Sequence, residues 1–305
     1  MQINQLHERF VGEITGLDTA GPPTPETVAA VEAAMARHAV CVIRDFSLGD
    51  DNHIRFSRAF GPLELPPPGG KRIAPQIYDV GNLTADGEIR PPNPGGPQPI
   101  DFERFHTDSP FNDLPTKWSF LLGYICPPEG ANTEFVDTRA VYDDLPQEMK
   151  DRIGGLSAEH DMFRALERTG VKFGDEQMRR AFPGMAHPLV RESANGRKAL
   201  YLGWHAVGIV GMPEAQAHKL LDELLAFATQ PRYIYSHRWR AGDMVIWDNR
   251  CTMHSATAFD RFRYKRDMRR TTINEYGPEV STLMGGSPNR AQGAPQGSGN
   301  GMKVP

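Results

Sequence analysis

The chain has 305 residues, 39% of them apolar and 24% charged, enough for a sizeable core in one large or two smaller domains. Lys plus Arg number 34 against 38 Asp plus Glu, and no basic block occurs, which excludes a nucleic-acid footprint. Three scattered cysteines (Cys41, Cys126, Cys251) make neither a disulfide framework nor a zinc-finger pattern. Met1-Gln2-Ile3-Asn4 lacks the features of a signal peptide, and the most apolar run, Trp118 to Cys126, is far short of the roughly 18 residues needed to span a bilayer. The expectation is a soluble, cytoplasmic protein of a reducing compartment, with no membrane or nucleic-acid partner.

In chain order, Thr24 predicts an N-cap for a helix over Pro25–His38, with Val28, Val31, Ala34 and Met35 at helical spacing. A strand over Ala39–Arg44 and a helix over Asp51–Phe60 follow, the latter stopped by Gly61-Pro62. The Gly and Pro residues cluster between Gly61 and Pro99, a stretch that excludes a long helix or a central strand and reads as a lid insertion over about 62–101. Further strands are expected at Ile77–Val80, Ser119–Tyr124 and Thr133–Asp137, and then two short helices over Asp137–Ile153 broken at Pro146. Ala199–Leu202 reads as a strand, and Pro213–Ala228 carries the strongest helical stripe, packing outside the sheets or serving a homo-oligomer contact. The last strands are Ile234–Arg238, Asp243–Trp247 and Arg269–Glu275. Short strands without regular crossover helices point to a mainly β fold, an antiparallel sandwich or barrel with flanking helices. One domain spans 1–280, and the Gly/Ser/Pro/Asn-rich 281–305 is a disordered tail.

The chemistry begins at His106-Thr107-Asp108. Residues two apart on a strand share a face, so this imidazole and carboxylate can bind one metal; a surface turn is the plain alternative. With a distant histidine they would make a two-His, one-carboxylate triad with open positions, suited to non-haem Fe(II). His254, just beyond the buried strand Asp243–Trp247, is placed to point into a barrel mouth. In Lys265-Arg266-Asp267-Met268-Arg269-Arg270-Thr271-Thr272, strand alternation puts Arg266, Met268, Arg270 and Thr272 on one face. Two inward arginines about 13 Å apart would each need an anion. The alternatives are a solvated edge strand, or Lys265 or Arg269 facing inward.

His106-Thr107-Asp108, Thr133, His254 and Arg266 resemble, in order and spacing, the signature of the TauD/TfdA family of Fe(II)/2-oxoglutarate dioxygenases. Twenty-four residues separate Asp108 from Thr133, and eleven separate His254 from Arg266. Pro127–Asp137, Arg139–Tyr142, Trp247–Arg250 with Met253-His254, His187–Val190 and His237–Trp239 look especially like the 2,4-dichlorophenoxyacetate branch. The resemblance covers roughly residues 10 to 277. It implies a double-stranded β-helix (jelly-roll) core, with His106, Asp108 and His254 as iron ligands. It also implies 2-oxoglutarate chelating the iron, its far carboxylate held by Arg266 and the Thr133 hydroxyl. Arg270 would meet the anionic group of a small organic substrate. The implied reaction consumes O2, releases succinate and CO2, and hydroxylates the substrate; on an aryloxyalkanoate the hemiacetal collapses to a phenol and an oxo acid.

Phe102 lies four residues before His106, where relatives have an Asn near the substrate, and Phe105 replaces the usual Trp. The His254–Arg266 interval is one residue longer than in the 2,4-dichlorophenoxyacetate branch. Lys71 and Asn82 are candidates for the substrate mouth, each with a solvated-loop alternative; His205 reads as a histidine behind the site, and His187 and His237 as structural. The same chemistry on a sulfonate, a sulfate ester or an N-acyl amino acid is the alternative substrate reading. A zinc hydrolase would give Thr133 and Arg266 no role, and a non-catalytic binding protein would be expected to have lost one of these groups.

Overall fold

The computed structural model describes residues 1–66, 73–92, 104–112, 114, 116–170, 176, 179, 184–277 and 279–281. Two sheets enclose the centre, the larger drawing strands from both ends of the chain. The larger runs β1 (Gln2–Gln5), β2 (Gly12–Thr15), β3 (Val40–Ile43), β14 (Met244–Asp248), β6 (Thr116–Ile125), β16 (Asp267–Asn274), β4 (Leu63–Leu65) and β17 (Val280–Ser281), with β5 (Tyr78–Asp79) also pairing β16. The smaller is β13 (Ile234–His237), β7 (Thr133–Asp137) and β15 (Thr252–Ala256), all antiparallel. A three-stranded sheet of β12 (Ala206–Ile209), β8 (Ser157–His160) and β9 (Met185–Pro188), and the pair β10 (Val190–Glu192) and β11 (Lys198–Leu200), lie beyond it.

Period-2 alternation divides the apolar residues into layers. On β14, Val245 and Trp247 point between the two sheets, with Val40, Val42, Leu121, Phe135 and Met268. Met244 and Ile246 point the other way, joining Trp118, Phe120 and Leu122 beneath the helices α1 (Pro25–His38) and α2 (Asp50–Arg58). Because both faces of β6 and β14 are covered, these strands are mostly apolar on both faces, with Ser119 as a polar exception in the middle of β6. Behind the smaller sheet, Val136 and Met253 pack against Leu220, Leu221 and Leu224 of Glu214–Ala228, the sixth of the described helices (α6) after α3 (Thr138–Asp144), α4 (Gln147–Ile153) and α5 (Met162–Arg168).

The fold is mainly β with flanking helices, a jelly-roll arrangement whose sheets do not close. Thr24 caps α1 by accepting from Thr27 N at 3.2 Å, as the sequence predicts, and Pro146 separates α3 from α4. Within the Pro/Gly-rich region β5 falls inside the strand expected at Ile77–Val80, while β4 is an additional strand; both pair with β16. Of the expected lid over about 62–101, residues 62–66 and 73–92 are described and include the sheet strands β4 and β5; the rest of it, and residues 282–305 of the tail, lie outside the described residues. Two pairings are parallel, β2 with β3 and β17 with β4, departing from the all-antiparallel expectation. His254 lies beyond the buried strand β14, as expected, but it is itself part of a further strand, β15, that the sequence did not indicate.

Candidate metal centre

Backbone pairing builds the centre. His106 N donates to His254 O at 2.9 Å and His254 N to His106 O at 2.8 Å. This exchange makes the two residues a directly opposed antiparallel pair, and such side chains leave the same face. The imidazole centroids are 4.2 Å apart. Two residues along from His106, Asp108 sets Oδ1 3.8 Å from His254 Nε2. One potential ligand atom from each of the three residues lies within 4.8 Å of the others, and among the described residues no other such trio occurs. His106 Nδ1 donates to Arg104 O at 2.7 Å, the tautomer that makes Nε2 the lone-pair nitrogen.

Electrostatics put these groups in the protonation state a divalent cation needs, neutral imidazoles and an ionised carboxylate. Burial lowers the pKa of both histidines, that of His254 far below the ordinary value, with the neighbouring His106 adding to the effect. Burial opposes ionisation of Asp108, but Arg270 and the two imidazoles outweigh it and hold this carboxyl well below the usual range. Asp108 Oδ2 accepts from Ser119 Oγ at 2.6 Å, and Oδ1 from Arg270 Nη1 at 2.5 Å.

The residues expected to hold 2-oxoglutarate stand at two strands, Arg266 immediately before β16 and Thr133 at the start of β7. Arg266 has no carboxylate partner among the described residues; its Nη1 donates to Val80 O, and its Nε is sealed from solvent without a hydrogen-bond partner. Burial pushes its pKa down to about 10, so it stays cationic at neutral pH. A buried, uncompensated guanidinium is costly, and a ligand carboxylate would offset that cost. Thr133, on β7, accepts from Trp239 Nε1 at 3.0 Å. Its own hydrogen is therefore directed away from the indole, where an anion can accept it. The neighbours the sequence left as alternatives face elsewhere: Arg269 pairs with Asp50 and Asp267 and stacks on Tyr124, and Lys265 pairs with Glu88.

The other expected residues divide. Arg270 stacks over Tyr78, its partner across β5 and β16, while reaching Asp108, so an arginine expected to meet substrate also touches the carboxylate of the trio. Asn82 is not at a substrate mouth. It is buried, with Nδ2 donating to Arg261 O (2.7 Å) and Tyr264 O (2.9 Å) and Oδ1 accepting from Arg266 N (2.7 Å), so its polar capacity is spent bracing the turn before Arg266. Lys71 and Phe102 lie outside the described residues. His205 sits behind the centre, with Nε2 3.2 Å from Thr107 N and 3.1 Å from Thr107 O.

Three participants escape the sequence reading. Glu64 is a fully buried carboxylate that accepts from Ser109 (2.6 Å), Thr116 (2.8 Å) and Tyr78 (3.1 Å); burial raises its pKa. Ser119 and Asn249 are both sealed from solvent and connect to Asp108. The available signal was a polar residue in the middle of the apolar run Trp118–Ile125, since such a group must find a partner.

Comparison with known proteins follows the same lines. A model of the "Taurine catabolism dioxygenase TauD, TfdA family" matches residues 2–272. An alpha-ketoglutarate-dependent 2,4-dichlorophenoxyacetate dioxygenase of Burkholderia sp. (strain RASC) is 38% identical, over 89% of this chain and 94% of the relative. An (S)-phenoxypropionate/alpha-ketoglutarate-dioxygenase of Sphingobium herbicidovorans is 32% identical, over 75% of this chain and 80% of the relative. The crystal structure of AAD-2 in complex with Mn(II) and N-oxalylglycine superposes with a TM-score of 0.84 at 35% identity, covering 92% of this chain and 99% of that one.

Proposed function

This chain belongs to the TauD/TfdA family of 2-oxoglutarate-dependent dioxygenases, and from that premise we propose that it oxidises an aryloxyalkanoate, cleaving it to a phenol and an oxo acid. Its cofactor is Fe(II), and its co-substrates are 2-oxoglutarate and O2. The observation that carries the reading is the donor set itself: two neutral imidazoles and one ionised carboxylate converge from one face, leaving other coordination positions open. In this reading His106, Asp108 and His254 hold the iron. Bound iron supplies the activation of O2, coupled to decarboxylation of 2-oxoglutarate to succinate and CO2.

The protein's part is binding, orientation and charge. The enclosed Arg266 guanidinium offers a fork to the far carboxylate of 2-oxoglutarate, and the Thr133 hydroxyl, its oxygen taken by Trp239, donates to the same group. Arg270, on the face of β16 that looks between the sheets, meets the carboxylate of the primary substrate and sets the reacting carbon beside the metal. Hydroxylation of a carbon bearing an ether oxygen gives a hemiacetal, whose collapse needs no further residue. The aryloxyalkanoate reading is supported by the substrates in the relatives' names and by the Arg270 guanidinium beside Asp108, a cation placed to meet an anionic substrate. Lys71 and Phe102 are proposed at the substrate mouth of a single domain over 1–280; β4 and β5 of the 62–101 insertion belong to the large sheet, so only its remainder is proposed as a lid.

The test is anaerobic reconstitution with Fe(II), then addition of 2-oxoglutarate, O2 and a panel of phenoxyacetates, phenoxypropionates, alkyl sulfates and taurine. Succinate formed one for one with a phenol is the expected result. Succinate coupled instead to sulfate or sulfite release would move the substrate to the sulfur esters or sulfonates.

A further inference from the structure

We propose that Ser119 and Asn249 are positioning residues that fix Asp108 to offer the metal one oxygen, Oδ1, through a chain of hydrogen bonds whose direction can run only one way. The proposal rests on the reading of Asp108 as a metal ligand.

The direction follows from groups that can only donate. Asn249 Oδ1 faces the indole Nε1 of Trp247 at 3.0 Å and the backbone N of Asp108 at 3.0 Å. Neither can accept, so the atom between them is the amide oxygen, and the other terminal atom of Asn249 is its NH2. That NH2 lies 2.9 Å from Ser119 Oγ and must donate to it. The serine, having accepted there, sends its single hydrogen to Asp108 Oδ2, 2.6 Å away. Indole and backbone N–H thus orient the amide, the amide orients the hydroxyl, and the hydroxyl engages Oδ2. Oδ1, which also accepts from Arg270 Nη1 at 2.5 Å, is the oxygen that faces His254 and keeps a lone pair for the metal.

Placement keeps the chain in register. Ser119 stands directly across from Trp247 in the β6–β14 ladder, and Asn249 follows the end of β14, its backbone N bonded to Lys117 O at 2.9 Å. Ser119 and Asn249 are each 0% exposed, so water cannot replace either partner. Thr107 Oγ1 donates to Asn249 O at 2.6 Å, tying the residue between the two ligands to the same asparagine. Outer partners of this kind typically change metal affinity by about 10–100-fold when removed.

Mn(II) titration of the purified full chain, followed by electron paramagnetic resonance, tests this on wild type, Ser119→Ala and Asn249→Asp. Asn249→Asp replaces the NH2 with an acceptor, so the Ser119 hydrogen turns to it and leaves Asp108 Oδ2. Both variants are expected to bind Mn(II) about 10–100-fold more weakly, and with Fe(II) to release more succinate than product. Ser57→Ala removes a buried serine on the far side of the same sheet, where Oγ bonds His53 O and Thr271. It should lower the melting temperature comparably while leaving Mn(II) affinity unchanged. Wild-type affinity in Ser119→Ala overturns the proposal, as does an equal loss in Ser57→Ala. Asp108→Ala separates the two levels: if it too keeps wild-type affinity, the metal-ligand reading itself fails.

Discussion

Arg266 and Arg270 carry the same charge four residues apart, yet their surroundings ask different things of them. Arg266 is enclosed, with no carboxylate partner among the described residues, so the whole benefit of its charge waits for a ligand. Arg266→Leu removes the cation together with its fork. Removing one side of a buried charged pair costs roughly 2–5 kcal/mol, so isothermal titration should show 2-oxoglutarate affinity falling by about 30-fold or more. Mn(II) affinity of the same variant should hold, because Arg266 has no contact with the trio in the structure. Arg270 already touches Asp108, and Arg270→Leu should act on both the substrate and the metal. A rise confined to the KM for the aryloxyalkanoate, with Mn(II) affinity untouched, would mean that this contact has no energetic weight.

Among the elements, the turn between β15 and β16 decides where Arg266 stands, and Asn82 decides the turn. Its three side-chain hydrogen bonds, together with backbone bonding of Asn82 N to Arg266 O (3.0 Å), join the β5 side of the sheet to residues 261–266. Asn82→Ala leaves two carbonyls and one N–H without partners in a buried place, a loss of about 1–3 kcal/mol per group at most. Urea denaturation should show lower stability, and the KM for 2-oxoglutarate should rise more than kcat falls. This role was not legible in the sequence, because it depends on a pairing between segments nearly two hundred residues apart. By contrast α1 was readable from Thr24 and its apolar spacing, and the break at Pro146 from proline chemistry alone, since both are local. β15 was missed for a further reason. Its sequence, TMHSA, has only one strongly apolar residue, and its strand character comes from pairing with β7 rather than from propensity. The ligand trio was legible through motif and spacing, whereas Ser119 and Asn249 needed the ladder between β6 and β14 to show which polar groups meet.

For the molecule as a whole, buried histidines set the acid limit of stability. Burial depresses the pKa of His53 to about 4 and that of His160 to about 3. An unfolded histidine takes up its proton near pH 6.5, while the folded protein refuses it until the lower value. The stability these groups contribute is therefore complete above about pH 6.5 and is lost as pH falls towards 4 and 3. His53 alone accounts for roughly 3 kcal/mol across that interval. Urea unfolding of metal-free protein at pH 7.5 and 4.5 should show the decline, and His53→Gln should flatten it; an unchanged slope would assign the decline to other groups. The pairing of His106 with His254 has a different consequence. It joins two distant parts of the chain at the point where both offer a ligand to one ion. A cation seated there is a removable cross-link, closing a long loop much as a disulfide would, with a chelator in the place of a reductant. Saturating Mn(II) at a hundred times its dissociation constant should raise the unfolding free energy by about 2.7 kcal/mol, and EDTA should return the melting temperature to its starting value. Iron supply would then govern how long the folded chain survives proteolysis as well as how fast it turns over.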